Sequence, residues 1–147
     1  MSQFNKKVQK IIEQMEIGLT EQVDLFFVDK DNPVLENLIA KIDSGNEGYN
    51  VLHGLIIEQD QNIVKFKTVN NKVLKMKKYG DIIIHVGAGN KELRPIVKFD
   101  ITLGDRRFNN ISFSIGDRTE NKEPILICKD FISSMNCLIN VNKNNVL

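Results

Sequence analysis

The pattern of hydrophobic and polar positions divides the chain into one helical segment followed by a series of strands. Over residues 4–16 the apolar positions recur every three or four residues, as in an amphipathic α-helix. These positions are Phe4, Val8, Ile11, Ile12 and Met15. Gly18 stands where glycine commonly ends a helix. We therefore expect residues 1–20 to carry an N-terminal amphipathic helix, with its apolar stripe buried on the rest of the protein or on a second subunit.

From residue 22 onward the pattern changes to the alternation and the short apolar runs of β-strands. Residues 63–69 and 73–76 both alternate, and Asn70-Asn71 between them predicts a hairpin turn. The predicted strands are 23–28, 38–42, 51–57, 63–69, 73–76, 82–86, 96–103, 108–115, 124–127 and 138–141, with a helical turn at 129–132. Short strands separated by turn residues are typical of a β-sandwich or barrel, so we expect residues 21–147 to form a mostly β domain.

The composition is typical of a globular protein and limits its expected location in the cell. With 147 residues, 41% of them hydrophobic, the chain is long enough to bury roughly 70% of its unfolded surface. The formal net charge of +1 provides no field that would recruit nucleic acid or a membrane. No apolar run approaches the ~20 residues of a membrane span, and the first residues lack the features of a signal peptide. We expect a cytoplasmic protein of an AT-rich bacterium or a virus, located in the host cytoplasm or the virion if viral.

The strongest candidate for chemistry is the tripeptide Asp43-Ser44-Gly45, which directly follows an apolar strand. Such a strand delivers the carboxylate of Asp43 at its tip, and the hydroxyl of Ser44 can bond to neighbouring backbone. Gly45 lets another segment of chain approach closely. Polar turns use the same residue types, so the tripeptide alone is a weak signal.

Five segments in order resemble the retropepsin-like family of proteins known as ATP-dependent zinc proteases. Residues 38–45 resemble its apolar-x-apolar-Asp-Thr/Ser-Gly pattern, and Leu52-His53-Gly54 resembles its Leu-His-small tripeptide. Residues 94–97, 113–118 and 124–132 resemble its Arg-Pro-apolar-Val segment, its Asp-Arg strand end and its Pro-apolar-Leu-Ile-Gly-Arg-Asp-Phe-Leu segment. The resemblance runs from about residue 36 to 143 and implies a retropepsin-like closed β barrel with a short C-terminal helical turn.

The resemblance also implies an aspartic endopeptidase in which two chains each supply one aspartate. Two carboxylates about 3 Å apart cannot both ionise, so one is a general base for water while the other polarises the scissile carbonyl. Because the chain has one such motif, this reading requires a homodimer with Asp43 as the catalytic residue and a peptide or protein as substrate. We expect Ser44, Gly45, Asn46 and Cys128 to support the site, and a hairpin within residues 59–80 to close over it.

Two departures from the family pattern support a second hypothesis, that the protein is not catalytic. Asn46 follows the glycine where retropepsin-like enzymes usually carry a small residue, and Cys128 stands where the family has glycine. Either the pocket has adapted, or the fold has been kept without catalysis. In the second case the protein is an inactive interaction or structural module, such as a viral assembly or virion component, whose N-terminal helix docks on a structural protein partner.

Metal and nucleotide sites are not predicted. His53, His85, Cys128 and Cys137 lack the spacing of zinc ligands, and no phosphate-binding loop occurs. The two cysteines are also too few for a disulfide framework, so reduced thiols are expected. Residues 87–90 superficially resemble a dinucleotide loop but fit a hairpin turn better. We therefore expect no cofactor.

A cluster of lysines between residues 65 and 78 is the only basic patch. Its members are Lys65, Lys67, Lys72, Lys75, Lys77 and Lys78. On alternating strands they form a solvated face that resists edge-to-edge aggregation. Nucleic-acid binding is the less favoured reading, because Phe66 and Tyr79 are the only aromatic side chains available there for base stacking.

Overall fold

The protein is mostly β in its structure, a computed structural model that describes residues 15–147. This part of the chain forms twelve strands and one short helix. The elements are β1 (Met15–Ile17), β2 (Thr20–Phe26), β3 (Leu35–Ile42), β4 (Asn50–His53), β5 (Leu55–Gln59), β6 (Ile63–Lys67), β7 (Val73–Lys77), β8 (Asp81–Gly87), β9 (Asn90–Leu103), β10 (Arg106–Gly116), β11 (Ile125–Ile127), α1 (Lys129–Ser134) and β12 (Cys137–Ile139). No helix in the described part is long and apolar enough to span a membrane.

Six strands close into a barrel, which confirms the prediction of a closed mostly β fold with a short C-terminal helical turn. Their order is β10-β4-β11-β3-β2-β9, and β9 pairs with β10 to complete the ring. Most neighbours are antiparallel, but β4 is parallel to β10 and β3 is parallel to β11. The outer end of β9 continues beyond the ring and pairs with β8, so β8–β9 forms a hairpin that projects from the barrel.

Inward-facing apolar side chains of all six barrel strands fill the core. The rings of Phe99 and Phe113 meet edge to face with centroids 5.8 Å apart, a preferred geometry for aromatic pairs. Ile125 and Ile127 of β11 are fully buried. The short apolar run at 124–127 therefore lies in the middle of the fold, as its lack of polar positions indicated.

The three-stranded sheet β5-β6-β7 covers the barrel with the apolar side of the predicted hairpin. Its buried side chains are Val64, Phe66, Leu74 and Met76. The predicted turn at Asn70-Asn71 is confirmed, with Asn71 at φ +62° and the Thr68 N–H donating to the carbonyl of Lys72 at 2.9 Å. Asparagine tolerates this left-handed backbone better than most residues, which explains its place in the turn.

The N-terminal helix prediction falls mostly on residues 1–14, which lie outside the described residues. Its last turn is wrong, because Met15–Ile17 form β1 and pair in parallel with β12. The apolar-charged-apolar sequence of residues 15–17 is compatible with a strand as well as with a helix. Pairing with β12 makes it a strand. Gly18 is not a helix cap. A Cβ at this position would lie 2.6 Å from the carbonyl oxygen of Lys143, so glycine is needed for the close approach of the C-terminal segment.

Two buried carboxylates hold loops to the barrel. Glu21 is fully buried and accepts hydrogen bonds from the backbone N–H groups of Gly18, Val146 and Leu147. Asp100 accepts bonds from Arg107 and from the N–H groups of Asn110 and Asp29. Burial opposes ionisation of Asp100, but these donors outweigh it and hold its pKa below the ordinary value. Both groups are thus satisfied structural carboxylates.

Candidate functional site

Asp43 is the first residue after β3, and the end of the barrel positions it. Its N–H donates to the carbonyl of Ile127 at 3.0 Å, which ties it to the end of the parallel neighbour β11. Its Oδ1 accepts the N–H of Gly45 at 3.1 Å, so the tripeptide forms a turn around the carboxylate. Asp43 is half-buried, while Ser44 and Gly45 are exposed. A barrel strand therefore presents this carboxylate at the surface, as the sequence indicated.

Asn46 stabilises its own loop. Its Oδ1 accepts the N–H of Gly48 at 3.1 Å, and its backbone carbonyl accepts the N–H of Lys129 at 2.8 Å. The first of these bonds makes a second turn directly after the turn at Asp43, and the second anchors the start of α1. Asparagine in place of a small residue thus shapes the loop that follows the carboxylate.

Cys128 lies beside the Asp43 strand end, on the far side of the loop. It is buried in the core, directly before α1, and its N–H donates to Oδ1 of Asn50 at 2.8 Å. With Tyr49 and Phe131 it lines a separate cleft of about 540 Å³. Cys128 is not among the residues that line the cleft at Asp43. Both it and Cys137 are free cysteines, and burial raises the pKa of the Cys137 thiol.

Asn50 is a supporting residue that sequence reasoning missed. It is buried, and besides the bond from Cys128 it donates its Nδ2 to the carbonyl of Ser112 at 3.3 Å. It therefore ties β4, β10 and α1 together under the candidate site. A polar residue that opens an apolar strand is the signal in the sequence that could have found it.

The carboxylate of Asp43 stands in an open cleft of about 470 Å³. The apolar part of the lining comes from Tyr49, Val51, Leu126, Ile82 and Ile84. Ile82 and Ile84 belong to the projecting β8–β9 hairpin, so residues 81–95 flank the cleft and the expectation of a hairpin within 59–80 is wrong. The chain forms the hairpins β5–β6, β6–β7 and β8–β9 before β10, and only packing decides which one lies beside the Asp43 cleft.

Two arginines also line this cleft, and sequence reasoning used them only as markers of a family pattern. Arg94 on β9 makes an ion pair with Glu92 at 3.3 Å, and its Nε is buried without a hydrogen-bond partner. Arg118 follows β10, and its Nε donates to the carbonyl of Glu123 at 2.9 Å. Burial lowers the pKa of Arg118 and so does nearby Arg94, while Glu123 and Asp43 raise it. Guanidinium groups remain charged in proteins, so the cleft combines one carboxylate with two cations suited to binding oxygen acceptors.

Gly116 makes room for this arrangement. A Cβ at this position would lie 2.9 Å from Cζ and Nε of Arg94. Because glycine ends β10, the guanidinium of Arg94 can lie across the strand end and reach the cleft.

The residues considered as zinc ligands lie on different elements. His53 is at the end of β4, His85 on the projecting β8, and Cys137 on β12. Within residues 15–147 no group of three or more histidine, cysteine, aspartate and glutamate side chains could hold a metal ion. Residues 87–90 form the turn between β8 and β9, as predicted.

The lysine cluster lies mainly on the outward side of β6 and β7. Lys65 stands directly opposite Lys75 in the strand register. Lys78 is held locally by an ion pair with Asp81 at 3.0 Å, and Lys77 lies over the ring of Tyr79, 4.8 Å from its centroid. Lys67, Lys72, Lys75 and Lys77 are exposed, as predicted for a solvated face, but the Lys78 side chain is only 8% exposed. No lysine of this cluster lines the Asp43 cleft.

Comparison with known proteins extends the description of the fold. No protein-family model matches the chain, and no curated protein matches it. A crystal structure from Legionella pneumophila subsp. pneumophila str. Philadelphia 1, described as the protein Lpg0085 with unknown function (DUF785), is similar to it. The likeness covers 90% of this chain and 97% of that one, with a TM-score of 0.65 and 21% sequence identity. At that identity it concerns the fold alone.

Proposed function

We propose that the protein is a retropepsin-like aspartic endopeptidase that works as a homodimer, with Asp43 of each chain forming a shared dyad. The observation that carries the proposal is the position of Asp43, which directly follows a barrel strand and stands half-buried in an open cleft with partly apolar walls. The family resemblance over residues 38–45 and 124–132 supports it, since both segments meet at this carboxylate.

In the proposed dimer the two carboxylates come within about 3 Å and hold one proton between them. The charged member removes a proton from water as the water attacks the scissile carbonyl, and the protonated member donates to the carbonyl oxygen. Since the chain has one Asp-Ser-Gly, a second copy is a requirement of this reaction.

Arg94 supports a ligand in the cleft that carries oxygen acceptors, such as an extended peptide. Its guanidinium lines the cleft, and the carbonyl of a bound peptide would accept a hydrogen bond from a guanidinium N–H that faces it. The apolar walls formed by Ile82, Ile84 and Leu126 would contact substrate side chains on either side.

The outer face of the β8–β9 hairpin supports a second subunit close to the cleft. Ile83 and Leu93 are 58% and 63% exposed, and they pair with each other across the strands. This cross-strand pair points away from the cleft-facing Ile82 and Ile84. Covering it with a second copy would bury apolar surface at the end of the molecule where the dyad has to form.

A second candidate function is a non-catalytic interaction or structural module on the same fold. The specific observation in its favour is that Oδ1 of Asp43 already accepts the Gly45 N–H, as in an ordinary polar turn, and that Asn46 extends this turn. In that case the cleft end would bind a structural protein partner, such as a component of a viral assembly, without cleaving it.

The deciding experiment is a peptide-library cleavage assay on purified protein from acidic to neutral pH, with Asp43→Asn as the test variant. This nearly isosteric change removes the ionisable group, so we expect cleavage to be abolished while the circular dichroism spectrum and the melting temperature stay close to those of the wild type. Asp105→Asn is the matched control, because it makes the same change in the exposed turn between β9 and β10. It should cleave like the wild type.

Full activity of Asp43→Asn would eliminate the aspartic mechanism. Absence of cleavage by the wild type across the whole pH range, for a protein shown to be dimeric, would favour the interaction module.

A further inference from the structure

His53 is a buried histidine outside the Asp43 cleft, yet it contacts the segment that carries Arg118 into that cleft. It is the last residue of β4 and is 9% exposed. Its Nδ1 accepts the backbone N–H of Arg118 at 2.8 Å. A ring nitrogen accepts a hydrogen bond only when it carries no proton, so this contact requires a neutral imidazole with its hydrogen on Nε2.

The bond lies where regular strand pairing stops. The parallel pairing of β10 with β4 ends at Gly116 opposite His53, and the Gly54 N–H donates to the Gly116 carbonyl at 3.0 Å. Arg118 lies two residues farther on, outside the strand. Through its ring, His53 therefore binds the chain at Arg118, two residues beyond the last backbone contact between β4 and β10.

The Arg118 side chain has its own anchor and enters the cleft. Its Nε donates to the carbonyl of Glu123, and the guanidinium lines the cleft with Asp43 and Arg94. Asp43 raises the pKa of Arg118, which reflects an attraction between the two charges across the cleft. The position of the Arg118 backbone consequently sets how much positive charge Asp43 faces.

We propose that His53 is a positioning residue, whose neutral ring holds Arg118 in the Asp43 cleft and whose protonation releases it. A protonated Nδ1 becomes a donor and can no longer accept the Arg118 N–H. The hydrogen bond that holds Arg118 is therefore lost when acidic solution protonates the ring. The consequence for catalysis rests on the proposed peptidase function, whereas the position of Arg118 does not.

The charged groups around His53 determine the direction of the N–H that forms when Nδ1 is protonated. Oδ1 of Asp117 lies 3.9 Å from Nδ1. Thr119 donates twice to this carboxylate and, with smaller help from His53, holds its pKa below the ordinary value. Asp117 is therefore ionised when the imidazole gains its proton, and it attracts the new N–H away from the Arg118 backbone. Lys67 and Lys122, together with Arg118, line the same cavity beside the ring.

Two variants separate the hydrogen bond from the charge. His53→Asn places Oδ1 at the same distance along the side chain as Nδ1, so it keeps an acceptor and removes the titration. His53→Gln carries its amide one bond farther out and leaves no acceptor at that position. Both are uncharged polar residues, which makes them matched controls for each other.

The measurement is hydrogen exchange at the Arg118 amide by NMR as pH is lowered, corrected for the intrinsic pH dependence of exchange. The ring resonances of His53 report its titration, and the Ile115 amide reports the integrity of the barrel. We expect protection of the wild-type Arg118 amide against exchange to fall roughly 2- to 13-fold as the ring protonates. This factor corresponds to the usual net contribution of one hydrogen bond to stability. His53→Asn should stay protected throughout, and His53→Gln should be unprotected throughout.

The proposal is overturned if wild-type protection at Arg118 stays constant while the ring titrates, or if His53→Gln keeps it. The wild-type titration decides the matter even if a variant does not fold. If peptide cleavage is present, His53→Gln should be the less active variant, by roughly tenfold relative to His53→Asn. Absence of cleavage by the wild type would count against the peptidase function and leave the exchange result standing, so the two failures are distinguishable.

Discussion

The β6–β7 and β8–β9 hairpins both lie between β4 and β10 in the chain, and they bury their apolar residues in different ways. The β6–β7 hairpin alternates strictly, with every inward position apolar and most outward positions lysine. Its buried side chains belong to the core of the protein. The apolar face of this hairpin packs on the barrel and its charged face lies in solvent. No second subunit is therefore required to bury its apolar side chains.

The hairpin formed by β8 and the outer part of β9 has apolar residues on both faces. Ile82 and Ile84 face the cleft with Arg94, while Ile83 and Leu93 face outward and are exposed. This arrangement leaves apolar surface that the described chain does not cover. The lysine-bearing hairpin thus buries its apolar side chains in the core, whereas the hairpin beside Asp43 presents apolar side chains both to the cleft and to the outside.

The largest expected effect is on stability and concerns the first hairpin. Phe66 is fully buried on β6, so Phe66→Ala should lower the free energy of unfolding by about 3–5 kcal/mol. Ile83→Ala is the counterpart in the second hairpin, and at 58% exposure it should change this free energy by less than about 0.5 kcal/mol. Urea denaturation followed by circular dichroism measures both. A similar cost for the two variants would remove the distinction between the hairpins.

The next effect concerns the inner face of the second hairpin. Gly116→Ala would place a Cβ 2.9 Å from the Arg94 guanidinium, and the flexible side chain would have to leave its position in the cleft. We expect cleavage to fall roughly tenfold to a hundredfold, because a misplacement of about 1 Å has effects of that size. Thermal unfolding should barely change. Unchanged cleavage with a displaced Arg94, seen in a crystal structure of the variant, would exclude Arg94 from the site.

The outer face can be tested through self-association. Ile83→Asp puts a charge on the exposed apolar pair, and we expect it to weaken the dimer about tenfold or more, as loss of a buried contact at an interface does. Val73→Asp is the matched control, since Val73 is 46% exposed on the lysine-bearing hairpin. Sedimentation velocity over a concentration series distinguishes the two. Equal behaviour of the variants would mean that this apolar pair is outside any dimer contact.

The smallest expected effect concerns the lysine face itself. Lys65 and Lys75 stand directly opposite each other, and like charges in this arrangement are destabilising by roughly 0.2–1 kcal/mol. Lys75→Gln should therefore raise the free energy of unfolding by a few tenths of a kcal/mol at low salt, and the gain should shrink as salt screens the charges. A gain that does not depend on salt would point to a cause other than repulsion.

By itself, the sequence determined the mostly β character of this protein, several strand positions and the place of Asp43 after an apolar strand. Those features follow from local alternation and from turn residues such as Asn71, whose backbone conformation few other residues tolerate. They depend on residues close together in the chain, so pattern analysis can find them.

Tertiary structure alone decided what surrounds Asp43. Arg94, Arg118 and Ile82 reach its cleft from the projecting hairpin and from the end of β10, and Met15–Ile17 became a strand only by pairing with β12. These contacts join residues far apart in sequence, and their geometry depends on barrel closure and on local space such as that left by Gly116. Local periodicity carries no information about which distant strand ends meet. Arg94 and Arg118 therefore come to lie beside the Asp43 carboxylate only when the barrel closes.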